Sequence, residues 1–196
     1  MSKLAQVDAL SYYKELDEQK DEYDVLAQGP YMTAIRHAFV IKQLAGGRRV
    51  LDYGCGNGQI MDHSKFQFDG DWWIGADFMA SREEPFLKRA EKYGVPAKFE
   101  LVDVPEDKDY LKTLKALVAK YRPDTLILCG VLGYQGFTSI EEVKKALKRP
   151  RMRVIMTVPT ITPSYKETDI DRFDANELAE FRIVEKLHDG LHGVVF

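Results

Sequence analysis

Residues 50 to 59 read VLDYGCGNGQ: an apolar pair, an acid at Asp52, and glycines at Gly54, Gly56 and Gly58. Three side chains are given up directly after a segment with the composition of a buried strand. Glycine lets a backbone turn sharply and pass close to a ligand because no Cβ stands in the way. In a doubly wound sheet such a loop lies where ligands bind, at the carboxyl ends of the strands near the reversal of strand order. The stretch therefore predicts both an architecture and a place for a small molecule.

The chain after this loop keeps the implied rhythm. Strands are expected at Arg49–Tyr53, Trp72–Asp77, Lys98–Val102, Thr125–Cys129 and Arg153–Val158. Charged helical stretches near 82–93, 107–121 and 140–148 separate them, the last opened by the capping box SIEE at Ser139–Glu142. Short apolar strands alternating with amphipathic helices imply right-handed crossovers and a parallel sheet covered on both faces. The end of the chain differs. A short helix over 173–181, with Asp174 as N-cap, precedes RIVEKLH and LHGVVF, which flank Asp189-Gly190. Asp-Gly favours a two-residue hairpin, so an antiparallel pair is expected to finish the sheet. Upstream, Met32, Ile35, Phe39 and Leu44 follow a helical period that ends at Gly46-Gly47.

The glycine spacing separates two ligand classes. A dinucleotide loop wants G-x-G-x-x-G or Ala, and here the last position is Gln59. The pattern present is G-x-G-x-G, preceded by Asp52. This resembles motif I of the class I S-adenosylmethionine-dependent methyltransferases. The resemblance covers roughly residues 32 to 196. It implies a Rossmann-like α/β fold: a seven-stranded, mostly parallel sheet with an antiparallel C-terminal strand and helices on both faces. It also implies S-adenosyl-L-methionine as cofactor. The loop residues Gly54, Cys55, Gly56, Asn57 and Gly58 would wrap its methionine end, with Asp52 an electrostatic partner of the loop and the amino group. Asp77, with Phe78 after it, would accept from the ribose hydroxyls. Asp103 and Val104, after the third strand, would face the adenine. Cys129 and Gly130, after the fourth, complete the expected cofactor site.

Methyl transfer asks mainly for positioning, so motif I does not name the acceptor. The fourth-strand segment LCGVLGYQG lacks the Pro-Pro of enzymes that methylate amines of DNA bases, and fits a small-molecule or peptide acceptor better; a small molecule is the expectation. A net charge of −3 and a pI of about 5.9 argue against general nucleic-acid binding. Tyr12, Tyr23, His37 and Tyr134 are the acceptor-site candidates; no catalytic residue is assigned. Residues 1–45 read as an N-terminal helical segment, with 1–31 a possible lid, and 46–196 as the cofactor-binding domain. The alternatives are an NAD-dependent Rossmann oxidoreductase and a non-catalytic cofactor-binding subunit.

No apolar run near membrane-spanning length and no secretory leader is evident, and two cysteines make no disulfide framework. A cytoplasmic protein is the expectation. His188 and His192 flank the hairpin turn, not one helix face, so no metal site is expected.

Overall fold

The computed structural model describes residues 30–103, 110–131, 140–147, 151–160, 175–178, 181–188 and 190–196. Among them lie four helices: α1 (Pro30–Leu44), α2 (Glu83–Lys92), α3 (Tyr110–Tyr121) and α4 (Ile140–Leu147). Seven strands form one sheet: β1 (Arg49–Tyr53), β2 (Trp72–Asp77), β3 (Ala97–Leu101), β4 (Thr125–Leu128), β5 (Arg153–Pro159), β6 (Ile183–His188) and β7 (Leu191–Val195). Their order is β3-β2-β1-β4-β5-β7-β6. The first five are parallel, and β7 runs antiparallel to both β5 and β6. The expected sheet, reversal point and closing hairpin are all present.

Burial follows position in the sheet. In β1 every residue after Arg49 is buried, as a central strand covered on both faces requires. Edge strand β6 instead alternates half-buried and exposed residues. One face packs Leu51, Ile74, Leu126 and Val154 against Leu114 and Leu117 of α3 and Val143 and Leu147 of α4. The other packs Val50, Trp73, Ile127 and Ile155 against Phe39, Val40 and Leu44 of α1 and Phe86 and Ala90 of α2. Helix α1 is thus part of the core, lying across β5 and β7. It ends where Gly47 N–H closes onto the Leu44 carbonyl at 2.8 Å. Helix α2 carries Glu83 and Glu84 in its first turn and Arg89 and Lys92 in its last, matching the helix dipole at both ends.

Two features differ from simple alternation. After the glycine loop comes a single 3-10 turn, Gln59–Asp62, with no α-helix before β2. Within the helix expected over 173–181, the described residues form one 3-10 turn, Ala175–Leu178. The Ser139 and Asp174 caps and Asp189 fall outside the described residues; Gly190 has the positive φ of 73° that the hairpin needs.

Candidate functional site

The site grows from the ends of β1 and β2. Past Tyr53 the chain folds back on β2: Gly54 and Cys55 N–H both donate to the Ala76 carbonyl, at 2.7 and 3.3 Å. Gly56 N–H donates to Asp77 Oδ2 at 2.9 Å, and Gly58 N–H to the Cys55 carbonyl at 2.9 Å. Gly54 and Gly58 both have left-handed φ, 74° and 72°. A Cβ at Gly54 would lie 2.6 Å from Val131 Cγ2, and one at Gly58 would lie 2.9 Å from the Phe86 ring. Close packing as well as turn geometry therefore excludes side chains here.

Asp77 is the hinge of the arrangement. Its Oδ2 takes the Gly56 N–H, and its Oδ1 takes the Met79 N–H at 3.0 Å. Burial pushes this carboxyl up, while the Met79 and Gly56 N–H groups and the nearby Arg82 charge pull it down. Each oxygen keeps a further lone pair that can accept a ligand hydroxyl. A narrow cleft opens beside it. Tyr53 and Gly54 form one wall, Ala76, Asp77 and Phe78 the floor, and Val102, Asp103 and Tyr110 the other wall. Gly54, Asp77, Phe78 and Asp103, expected on different segments, thus line one space. Val104 lies outside the described residues. Burial also pushes the Tyr53 phenol up, so it stays protonated at neutral pH.

Asp52 stands on the α1–α2 face, 4% exposed. Burial pushes its carboxyl up to about 7, and the neighbouring Asp77 charge adds to this. The Trp73 indole leans the other way, but weakly: its Nε1 is buried without a partner in hydrogen-bond geometry. Burial dominates, because no ion pair or directed hydrogen bond reaches Asp52 among the described residues. A buried acid of this kind suits a cationic ligand group.

Asn57 is held by residues with no signal in the sequence pattern. Arg82 Nη1 donates to its Oδ1 at 3.3 Å, and Arg89 Nη1 donates to its carbonyl. Arg89 also pairs with Asp62 at 2.5 Å, and Tyr93 donates to Asp62 at 2.9 Å. Helix α2 thereby fastens the glycine loop from outside. Both arginines lie in a charged helical stretch, where sequence alone gives no reason to single them out.

The two cysteines are free, and burial pushes Cys55 well up and Cys129 up to about 11. Both are protonated thiols at neutral pH, suited to packing and not to attack. Thr157 Oγ1 accepts the Gly130 N–H at 2.8 Å, fixing the end of β4 to β5. His37, on α1, lies with His63 and Asp62, and burial first, then His63 and Arg36, lower it to about 4. It is neutral at physiological pH. Tyr12, Tyr23 and Tyr134 fall outside the described residues. No cluster of metal-ligating side chains occurs among the described residues. His188 stacks edge-on with Tyr31, while His192 Nδ1 meets Thr160 Oγ1 at 2.9 Å.

No family model and no curated protein matches the sequence. Solved structures do match the fold. Magnesium protoporphyrin IX methyltransferase (ChlM) from Synechocystis PCC 6803, with bound S-adenosylmethionine, is 15% identical over 97% of this chain and 91% of its own, with a TM-score of 0.54. A ribosomal-protein methylase from Lactobacillus delbrueckii subsp. bulgaricus is 13% identical over 85% of this chain and 78% of its own, at 0.53. Mitomycin 7-O-methyltransferase MmcR is 12% identical over 83% of this chain at 0.55, and this chain spans 52% of its length. The fold is that of the class I S-adenosylmethionine-dependent methyltransferases. No helix among the described residues is long and apolar enough to cross a membrane.

Proposed function

We propose that the protein binds S-adenosylmethionine and transfers its methyl group to a small-molecule acceptor. The observation that carries this is the docking of Gly56 N–H onto Asp77 at the carboxyl ends of β1 and β2, beside the buried and unpaired Asp52. In this reading Asp77 accepts the two ribose hydroxyls, Asp103 faces the adenine, and Asp52 neutralises the ammonium of the methionine end. When bound, the cofactor supplies an activated methyl group on a sulfonium sulfur. The protein's part is to fix that sulfur at the end of the glycine loop and to keep water from the strand ends. A nicotinamide dinucleotide suits the site less well. Its pyrophosphate calls for a helix N-terminus after the glycine loop, and here a 3-10 turn follows.

The acidic charge balance supports a small acceptor over a nucleic acid. Residues 1–31 are proposed as a lid over the cofactor, with Tyr12 or Tyr23 against it; hydrogen exchange there should slow when ligand binds. Titration calorimetry with S-adenosylhomocysteine and with NADH tests the central reading. Binding of the first and not the second is expected, and the reverse result would exclude the reading. Turnover with a panel of small acceptors then separates an enzyme from a non-catalytic subunit.

A further inference from the structure

The sheet has two edges, and they differ. At one end β3 pairs only with β2, and at the other β6 pairs only with β7. Two bonds at the ends of β3 fix the direction of its peptide groups. Trp73 N–H donates to the Pro96 carbonyl at 2.9 Å, and Val102 N–H donates to the Asp77 carbonyl at 2.8 Å. Peptide groups alternate in direction along a strand. Residues 96, 98, 100 and 102 therefore face β2, while Ala97, Phe99 and Leu101 turn their N–H and carbonyl groups outward, where the sheet has no further strand. Leu101 is also 54% exposed. Side chains alternate as well. Phe99 packs on Phe86 of α2, whereas Glu100 and, two residues before it, Lys98 lie on the α3 face. Lys98 is exposed and makes no ion pair among the described residues. Glu100 holds Lys120 with one oxygen and Tyr121 with the other.

An open edge of this kind can template another strand. A twofold axis through Phe99, normal to the sheet, sets a second β3 antiparallel to the first. Phe99 then lies opposite the partner's Phe99, and Ala97 opposite the partner's Leu101. These residues have outward main-chain groups, so each such pair exchanges N–H···O bonds. Between them fall the non-hydrogen-bonded pairs, where Cα atoms come within about 4.5 Å and side chains are closest. Those pairs are Lys98 with the partner's Glu100 and Glu100 with the partner's Lys98. Opposite charges directly across a ladder are favourable, and like charges are not. Each Glu100 oxygen keeps a further lone pair for the incoming ammonium. Neighbouring registers lack this match. An axis at Lys98 or Glu100 sets that residue against its own copy, and one at Ala97 or Leu101 leaves most of the strand unpaired. The middle of β6 lacks it too. There an axis at Val184 sets Lys186 against the partner's Arg182, axes at Glu185 or Lys186 set like against like, and a bulge between Lys186 and His188 breaks the ladder. We propose that the protein forms a twofold homodimer through β3, in the register centred on Phe99, with one continuous sheet through both copies. The interface adjoins the cleft, because β3 leads directly into Val102 and Asp103 on its wall.

Sedimentation velocity of the full chain over a dilution series tests this. A concentration-dependent species of twice the chain mass is expected. Lys98→Glu alters an exposed side chain and sets acid against acid twice, so the dimer dissociation constant should rise about tenfold or more. The double variant Lys98→Glu/Glu100→Lys exchanges the charges and should return it to within about threefold of wild type. A wild type that stays monomeric at every concentration overturns the proposal, as does a dimer that Lys98→Glu leaves unchanged. A folded double variant as weak as Lys98→Glu overturns it as well. If loss of the Glu100 contacts to α3 unfolds the double variant, Leu101→Pro takes its place. That substitution removes an outward N–H and leaves the β2 ladder whole. It should abolish the dimer, and a dimer kept at wild-type strength overturns the proposal.

Discussion

Asp77 and Arg36 are buried charges of opposite sign at the same edge of the sheet, and the protein treats them differently. Asp77, at the end of β2, has backbone N–H donors on both oxygens. Arg36, over the end of β4, has an orphaned Nε and no ion-pair partner among the described residues. The β1–β2 half of the site is therefore built and self-supporting. Over the end of β4, the Arg36 Nε is buried with no hydrogen-bond partner among the described residues, so this side is not fastened in the same way.

The largest effect is expected at the glycine loop. Gly58→Ala forces a side chain into a left-handed turn and against Phe86, and should cost about 2–4 kcal/mol of stability in denaturant unfolding. Asp77→Ala removes the acceptor that ties the loop to β2. S-Adenosylhomocysteine binding should weaken by about 1.5–3 kcal/mol by calorimetry, the worth of hydrogen bonds to a charged group.

The effect of Asp52→Asn should depend on pH. A carboxyl held at about 7 in the folded protein, against an ordinary value near 4, stabilises the fold fully below pH 4. That contribution is lost as pH rises to about 7. The variant without ligand should then gain on the order of 4 kcal/mol over wild type at pH 8 relative to pH 4. Wild-type affinity for S-adenosylhomocysteine should rise with pH through 7, as the Asp52 proton leaves, and the variant should lose that slope. The smallest effect is expected at Lys42–Glu185, the exposed 2.8 Å pair that joins α1 to β6. Lys42→Ala should change stability by less than about 0.5 kcal/mol, because α1 is held by its buried face.

The strand-end residues of the site were legible in the sequence, including Cys129 and Gly130 after β4 as well as the glycine loop and Asp77. Glycines at alternate positions after an apolar strand, and acids ending the next two strands, are local signals tied to strand ends, and strand ends follow from short apolar runs. Arg36 carries no such signal. An arginine in an amphipathic helix reads as a solvated charge, and its burial depends on how α1 crosses β5 and the end of β4, which no local pattern encodes. Arg82 and Arg89 were hidden for the same reason, since their contacts to Asn57 span the β2–α2 connection. After Gly58 the face is covered by the Phe86 ring of α2, and the chain makes only the 3-10 turn Gln59–Asp62 before β2.

Strand β7 lies between β5 and β6, although it follows both in the chain, and Val154 and Phe196 bond to each other through both backbone groups. Strand β6 consequently emerges from the ribosome before β7, the strand it pairs with. Until residue 195 is made, β5 remains an open edge, able to pair with any extended segment nearby. Completion of this half of the sheet therefore waits for β7, and chains halted before residue 191 should be far more prone to association than chains that include residues 191–195.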